Sequence, residues 1–107
     1  MKTTSFEGLL HGADYNCDQW LEEKAILDAD MAYMRKAGCN VMSVGIFSWS
    51  MIEREEGAYD FAWLDDMLDR LHVNGVRVIL STPSGSKPAW MSRKYPETCR
   101  VTVDGRR

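Results

Sequence analysis

The sequence is short of the residues that mark specialised chains. Among 107 residues it has only three cysteines, three prolines and two histidines. Cys17, Cys39 and Cys99 are odd in number and far apart, which fits neither a disulfide framework nor the close pairing of a zinc site, so they read as reduced thiols. His11 and His72 are isolated, with no HExxH spacing, and no metal is expected. No window approaches the roughly 18 uninterrupted apolar residues of a membrane-spanning helix. In the segment Met1 to Leu10 the longest apolar run is the pair Leu9-Leu10, too short for the core of a signal peptide, so a cytoplasmic protein is expected. No run of Lys or Arg interrupts the balance of 13 basic against 16 acidic side chains, and a net charge of -3 leaves no broad positive surface for a nucleic acid. Neither GxGxxG nor GxxxxGK[ST] occurs, and Gly85 alone cannot cradle a phosphate, so no nucleotide cofactor is expected. No GxSxG elbow surrounds Ser48, Ser50, Ser81, Ser84 or Ser86, and serine nucleophile chemistry has no support.

What is present is an ordinary globular composition, 45% hydrophobic and 27% charged, enough to bury one modest core. Hydrophobic periodicity divides the chain. Residues 9–15 form a short apolar stretch with a polar end and read as a strand. Trp20, Leu27, Met31 and Met34 fall on one helical face and predict a helix over 18–37, with Arg35 and Lys36 in its last turn and Gly38 as its stop. Residues 41–47 (VMSVGIF) are nearly continuously apolar, the pattern of a strand buried on both faces in a parallel sheet. Asp60 then caps a second helix over 61–74, in which Leu64, Met67, Leu68 and Leu71 keep helical spacing. A third strand spans 76–81, and a short helix over 88–94 follows a loop with two prolines.

The strand starts recur at roughly 30 to 35 residues with a helix between, the period of a βα repeat. Right-handed crossovers place those helices on one side of a parallel sheet. Closed eight-stranded barrels and open doubly wound sheets share this period, and periodicity does not choose between them.

In both architectures ligands bind at the carboxyl ends of the strands, which makes the segments 14–18, 48–60 and 81–88 the candidate site. Asp14, Glu53, Glu55 and Glu56 all fall in these segments, and paired carboxyls are what glycosyl transfer uses. Glu55 and Glu56 flank a turn at Gly57 and read as solvated charges. Asp14 directly follows an apolar strand, where barrels place polar site groups; capping of the next helix or loop is the equal alternative. Trp49 and Trp90 stand at the same end, where an indole face can stack on a sugar ring or pack a loop against the sheet. Trp20 and Trp63, on helices, are assigned to the core or its margin.

Several blocks of residues then carry a resemblance. Leu10 to Asn16 with Gln19-Trp20, Val44 to Trp49, Glu53, Glu56-Gly57, Tyr59-Asp60-Phe61 and Trp63-Leu64-Asp65 occur in order, followed by Ser81-Thr82-Pro83, Pro88-Ala89-Trp90, Arg93 to Glu97 and Val103 to Arg107. Together they resemble the family 42 β-galactosidases. The resemblance implies an α/β fold, the first three βα units of a (β/α)8 TIM barrel, with residues 1–107 an incomplete amino-terminal part. It implies an enzyme that hydrolyses terminal β-D-galactosides with retention, using one Glu after the fourth strand and another near the seventh, both outside this chain. No catalytic residue is therefore assigned here, and the isolated chain is expected to be inactive. Asp14, Trp49 and Trp90 are expected to line or support the galactoside pocket, with no cofactor and no metal. A homotrimeric parent is implied by resemblance alone. Arg54, Lys87 and Cys17 stand where the family commonly has Pro, which loosens the loops without touching a catalytic carboxylate. The competing reading is a non-catalytic α/β module that binds a carbohydrate or a protein.

Overall fold

A strand that is apolar on alternate positions must find cover for that face, and here two helices supply it. The computed structural model describes residues 8–106; Met1 to Glu7 and Arg107, which the expected domain includes, lie outside the described residues. The elements run β1 (Gly12–Tyr15), a 3-10 turn (Cys17–Trp20), α1 (Lys24–Ala37), β2 (Val41–Val44), α2 (Trp49–Ile52), β3 (Glu53–Glu55), β4 (Ala58–Tyr59), α3 (Ala62–Val73), β5 (Arg77–Leu80), α4 (Ala89–Lys94) and a second 3-10 turn (Pro96–Thr98). β1, β2 and β5 form a parallel sheet in that order, and β3 and β4 form a separate antiparallel hairpin.

Met42 and Val44 of β2 pack with Leu27, Met31 and Met34 of α1 and with Leu64, Met67 and Leu71 of α3 in one core cluster. The register pairs Gly12 with Val41 and Arg77, and Asp14 with Ser43 and Ile79, so these alternate residues share the opposite face of the sheet. Ile79 is 57% exposed there.

Each helix of the repeat ends in the same way. Gly38 and Gly75 take positive φ of 73° and 75°. Cys39 N–H donates to the Met34 carbonyl at 2.9 Å and Val76 N–H to the Leu71 carbonyl at 2.9 Å, the Schellman arrangement that only a left-handed residue permits. Asn40 then stitches the strands at their amino ends: its side chain accepts the His11 N–H at 2.8 Å and donates to the Leu9 carbonyl at 2.9 Å. Its carbonyl accepts the Arg77 N–H at 2.8 Å.

Four sequence expectations are corrected. The helix predicted over 18–37 is two pieces, because Glu23 N–H closes a turn onto the Trp20 carbonyl at 2.9 Å and α1 starts only afterwards. Burial of the Cys17 thiol (1% exposed) rather than the Trp20 indole (43% exposed) directs the first piece, so Trp20 is not a core residue. Burial also pushes the Cys17 thiol up to about 11, which keeps it protonated at neutral pH. The strand predicted over 41–47 stops at Val44, since Gly45 turns the chain with a φ of 97° and its carbonyl accepts the Ser48 N–H. Asp14 belongs to β1 rather than to a loop, and the supposed loop 48–60 holds α2 and the β3–β4 hairpin. That hairpin is too short and polar to show a strand period. The remaining segments are close to their expected positions: residues 9–15 narrow to β1, 76–81 to β5, 61–74 to α3 and 88–94 to α4. Asp60 accepts the Ala62 N–H at 3.1 Å at the start of α3, and Trp63 is partly buried against the core.

Leu71 is 0% exposed at the centre of the core and Leu80 is 58% exposed at the end of β5. Leu71→Ala is expected to cost about 3 kcal/mol and Leu80→Ala less than about 1 kcal/mol, read from urea unfolding midpoints at constant m-value.

Candidate functional site

The carboxyl ends of β1, β2 and β5 lead into segments 16–23, 45–61 and 81–88. In the second of these, the Ser48 carbonyl accepts the N–H groups of Met51 and Ile52, each at 3.0 Å, and so starts the single turn of α2. That turn puts Trp49 and Glu53 on one face, four residues apart. The Trp49 Nε1–H donates to Glu53 Oε2 at 2.7 Å. At the tip of the hairpin the Gly57 N–H donates to Glu53 Oε1 at 2.9 Å. Tyr59, paired with Glu53 across the hairpin, turns its hydroxyl to the same carboxylate. From α4, after the third strand of the sheet, the Trp90 Nε1–H donates to the Glu53 backbone carbonyl at 2.9 Å.

Glu53 is thus 6% exposed with hydrogen-bond donors on both carboxylate oxygens. The Gly57 N–H, then the Trp49 indole and Tyr59, hold its carboxyl below the ordinary carboxylate range. It is ionised at neutral pH and cannot serve as a proton donor there. Its charge in turn raises the Tyr59 hydroxyl. Glu56 accepts from Lys94 and, at 2.7 Å, from the Tyr95 hydroxyl, and these bonds tie the hairpin to α4. The Lys94 bond lowers the Glu56 carboxyl, and Glu56 raises both Lys94 and Tyr95. Glu56 is therefore not the free charge its place beside a turn suggested; Glu55 is exposed. Arg54, Glu55, Glu56, Trp90, Arg93 and Lys94 line a depression of about 530 Å³ beside these contacts.

Of the three residues singled out from sequence, the structure gathers two. Trp49 and Trp90 both end on Glu53, partly buried, with their N–H groups committed. Asp14 stands apart, exposed on the sheet face, in a depression of about 370 Å³ shared with Leu10, Gly12, Ala13, Val41, Ser43 and Ile79. Beside it Ser43 Oγ lies 3.1 Å from Ser81 Oγ. Sequence reasoning missed Glu53 as the common partner of the indoles. The signal was available in the equal four-residue steps from Trp49 to Glu53 to Gly57, whereas the contact from Trp90 had no sequence signal.

Among the described residues no group of three or more His, Cys, Asp or Glu is placed to hold a metal ion, and no helix is long and apolar enough to cross a membrane. The parallel strands β1, β2 and β5, with α1 and α3 between them, have the fold of consecutive βα units of a (β/α)8 barrel, and polar residues stand near their carboxyl ends. The family model for glycoside hydrolase family 42, described as Beta-galactosidase, matches residues 14–107, and the chain belongs to that family. Beta-galactosidase BglY of Alicyclobacillus acidocaldarius is 55% identical over 101 residues, covering 94% of this chain and 15% of the relative. Beta-galactosidase GalA of Bacillus licheniformis is 56% identical over 96 residues, covering 90% and 14%. Among solved structures, a β-galactosidase from Rahnella sp. R3 superimposes with a TM-score of 0.90 at 58% identity, covering 95% of this chain and 15% of that one. The chain therefore spans about 15% of the length of the relatives it matches, and it aligns with their amino-terminal region.

A lowered carboxyl contributes stability that is complete above its unfolded value, 4.5 for Glu53, and is lost as pH falls through the folded value. The melting temperature is expected to hold from neutral pH down to 4.5 and to fall below it, and Glu53→Gln to make that acid limb shallower, both measured by thermal scans across pH.

Proposed function

We propose that this chain is the amino-terminal wall of a longer β-galactosidase that hydrolyses terminal β-D-galactosides with retention. The observation that carries the reading is the open sheet face, where Asp14, Ser43 and Ile79 share one register row at the strand carboxyl ends, in a chain 55% identical to a named β-galactosidase. A retaining hydrolase needs an acid that protonates the glycosidic oxygen and, about 5 Å away, a carboxylate that attacks the anomeric carbon to form a glycosyl-enzyme that water then opens. Glu53 is committed to its own hairpin and Asp14 stands apart from it, so the working pair belongs to the rest of the parent. Asp14 accepts hydrogen bonds from sugar hydroxyls in this reading. The faces of Trp49 and Trp90, whose N–H groups are already engaged, border the ring. The three free thiols fit a reducing compartment, and the proposal places the parent in the cytoplasm as a homotrimer that takes a galactoside and neither nucleic acid nor membrane.

The test is turnover of a chromogenic β-galactoside. The protein encoded by the whole reading frame is expected to be active, the isolated 107 residues inactive, and Asp14→Ala in the whole protein to raise KM about tenfold. An inactive whole protein, or an active isolated chain that loses activity on Asp14→Ala, overturns the proposal.

A further inference from the structure

We propose that Glu53 is a positioning residue of the sugar site, locking the indoles of Trp49 and Trp90 from two different βα segments into one fixed arrangement. The inference rests on the reading that these loops border a galactoside pocket. Three observations converge on it. The carboxylate is buried, and the hydrogen bonds it accepts come from neutral donors. One oxygen accepts the Trp49 indole at 2.7 Å and the other the Gly57 N–H at 2.9 Å, so its own hairpin fixes its orientation. The backbone carbonyl of the same residue accepts the Trp90 indole at 2.9 Å across 37 residues of sequence.

The chemistry requires a carboxylate. Both oxygens face N–H donors, and an amide would turn its own NH2 group against one of them whichever way it was placed. Aspartate is shorter by one methylene and cannot span the hairpin to both donors. An indole has a single N–H, so engaging it restricts the ring and leaves only its face or edge for a ligand. A wall set before binding spares the ligand the entropy of ordering it. A third indole provides a comparison: Trp63 Nε1–H donates to the Met51 carbonyl at 3.3 Å without a hydrogen bond to Glu53.

The test uses the whole enzyme with Glu53→Gln, Trp49→Phe, their combination and Trp63→Phe, measuring kcat, KM and Tm on a chromogenic β-galactoside. Glu53→Gln, which turns its NH2 group against the Trp49 or the Gly57 N–H, and Trp49→Phe are each expected to raise KM about tenfold with kcat within about threefold, and the double variant to fall short of the product of the two effects, since both act on the ring that Glu53 holds. Trp63→Phe is expected to lower Tm and leave KM unchanged. A wild-type KM in Glu53→Gln, or KM effects that multiply in the double variant, overturns the proposal. Should Glu53→Gln fail to fold, Trp49→Phe decides: a raised KM in a folded protein supports the assignment and an unchanged KM refutes it. A whole wild-type protein with no galactoside turnover refutes the functional reading and this proposal together, whereas an active one with unshifted KM refutes only this proposal.

Discussion

A buried carboxylate persists only where hydrogen-bond donors replace water on both of its oxygens. Glu53 meets that condition with an indole from α2 and a backbone N–H at the hairpin tip. The two segments cannot separate without exposing the charge or stranding a donor. Because the Glu53 carbonyl also receives Trp90, the constraint reaches past β5 to α4, and the Glu56 contacts with Lys94 and Tyr95 repeat the link at the surface. The segment after β2 is therefore held by one buried carboxylate as well as by Ile52 in the apolar core.

The sheet itself has two unlike faces. Met42 and Val44 lie against the helices, and the row of Asp14, Ser43 and Ile79 faces away from them. The apolar run of the second strand reads as buried on both sides, and it is polar Ser43 that marks the side facing away from the helices. Family membership and this geometry agree, since the face that carries Asp14 is the one a closed barrel would enclose.

Legibility in the sequence followed the range of the forces involved. The apolar stripe of Leu27, Met31 and Met34, the stripe of Leu64, Met67 and Leu71, and the glycine stops after each arise within a few residues, and they were readable. The split of the first predicted helix was not, because it depends on Cys17 rather than Trp20 being drawn into the core. Trp49 and Trp90 read from the sequence as ring faces, while the structure engages both through their N–H groups. Asp14 lies within the strand expected over 9–15, near the carboxyl end of β1. A contact between Glu53 and Trp90 requires the fold to bring two βα segments together, and no local pattern encodes it.

The links between the helices and the strands that follow them are minimal: Gly38, Cys39 and Asn40 after α1, and Asn74, Gly75 and Val76 after α3. At the other end the connections are long and carry the hairpin, the indoles and the acidic groups. An inserted residue among the short links would break a left-handed cap and shift a whole strand by one place, reversing which side chains look inward. Room for inserted residues is thereby confined to one rim of the molecule, so that rim can change its chemistry while the opposite one keeps the shape.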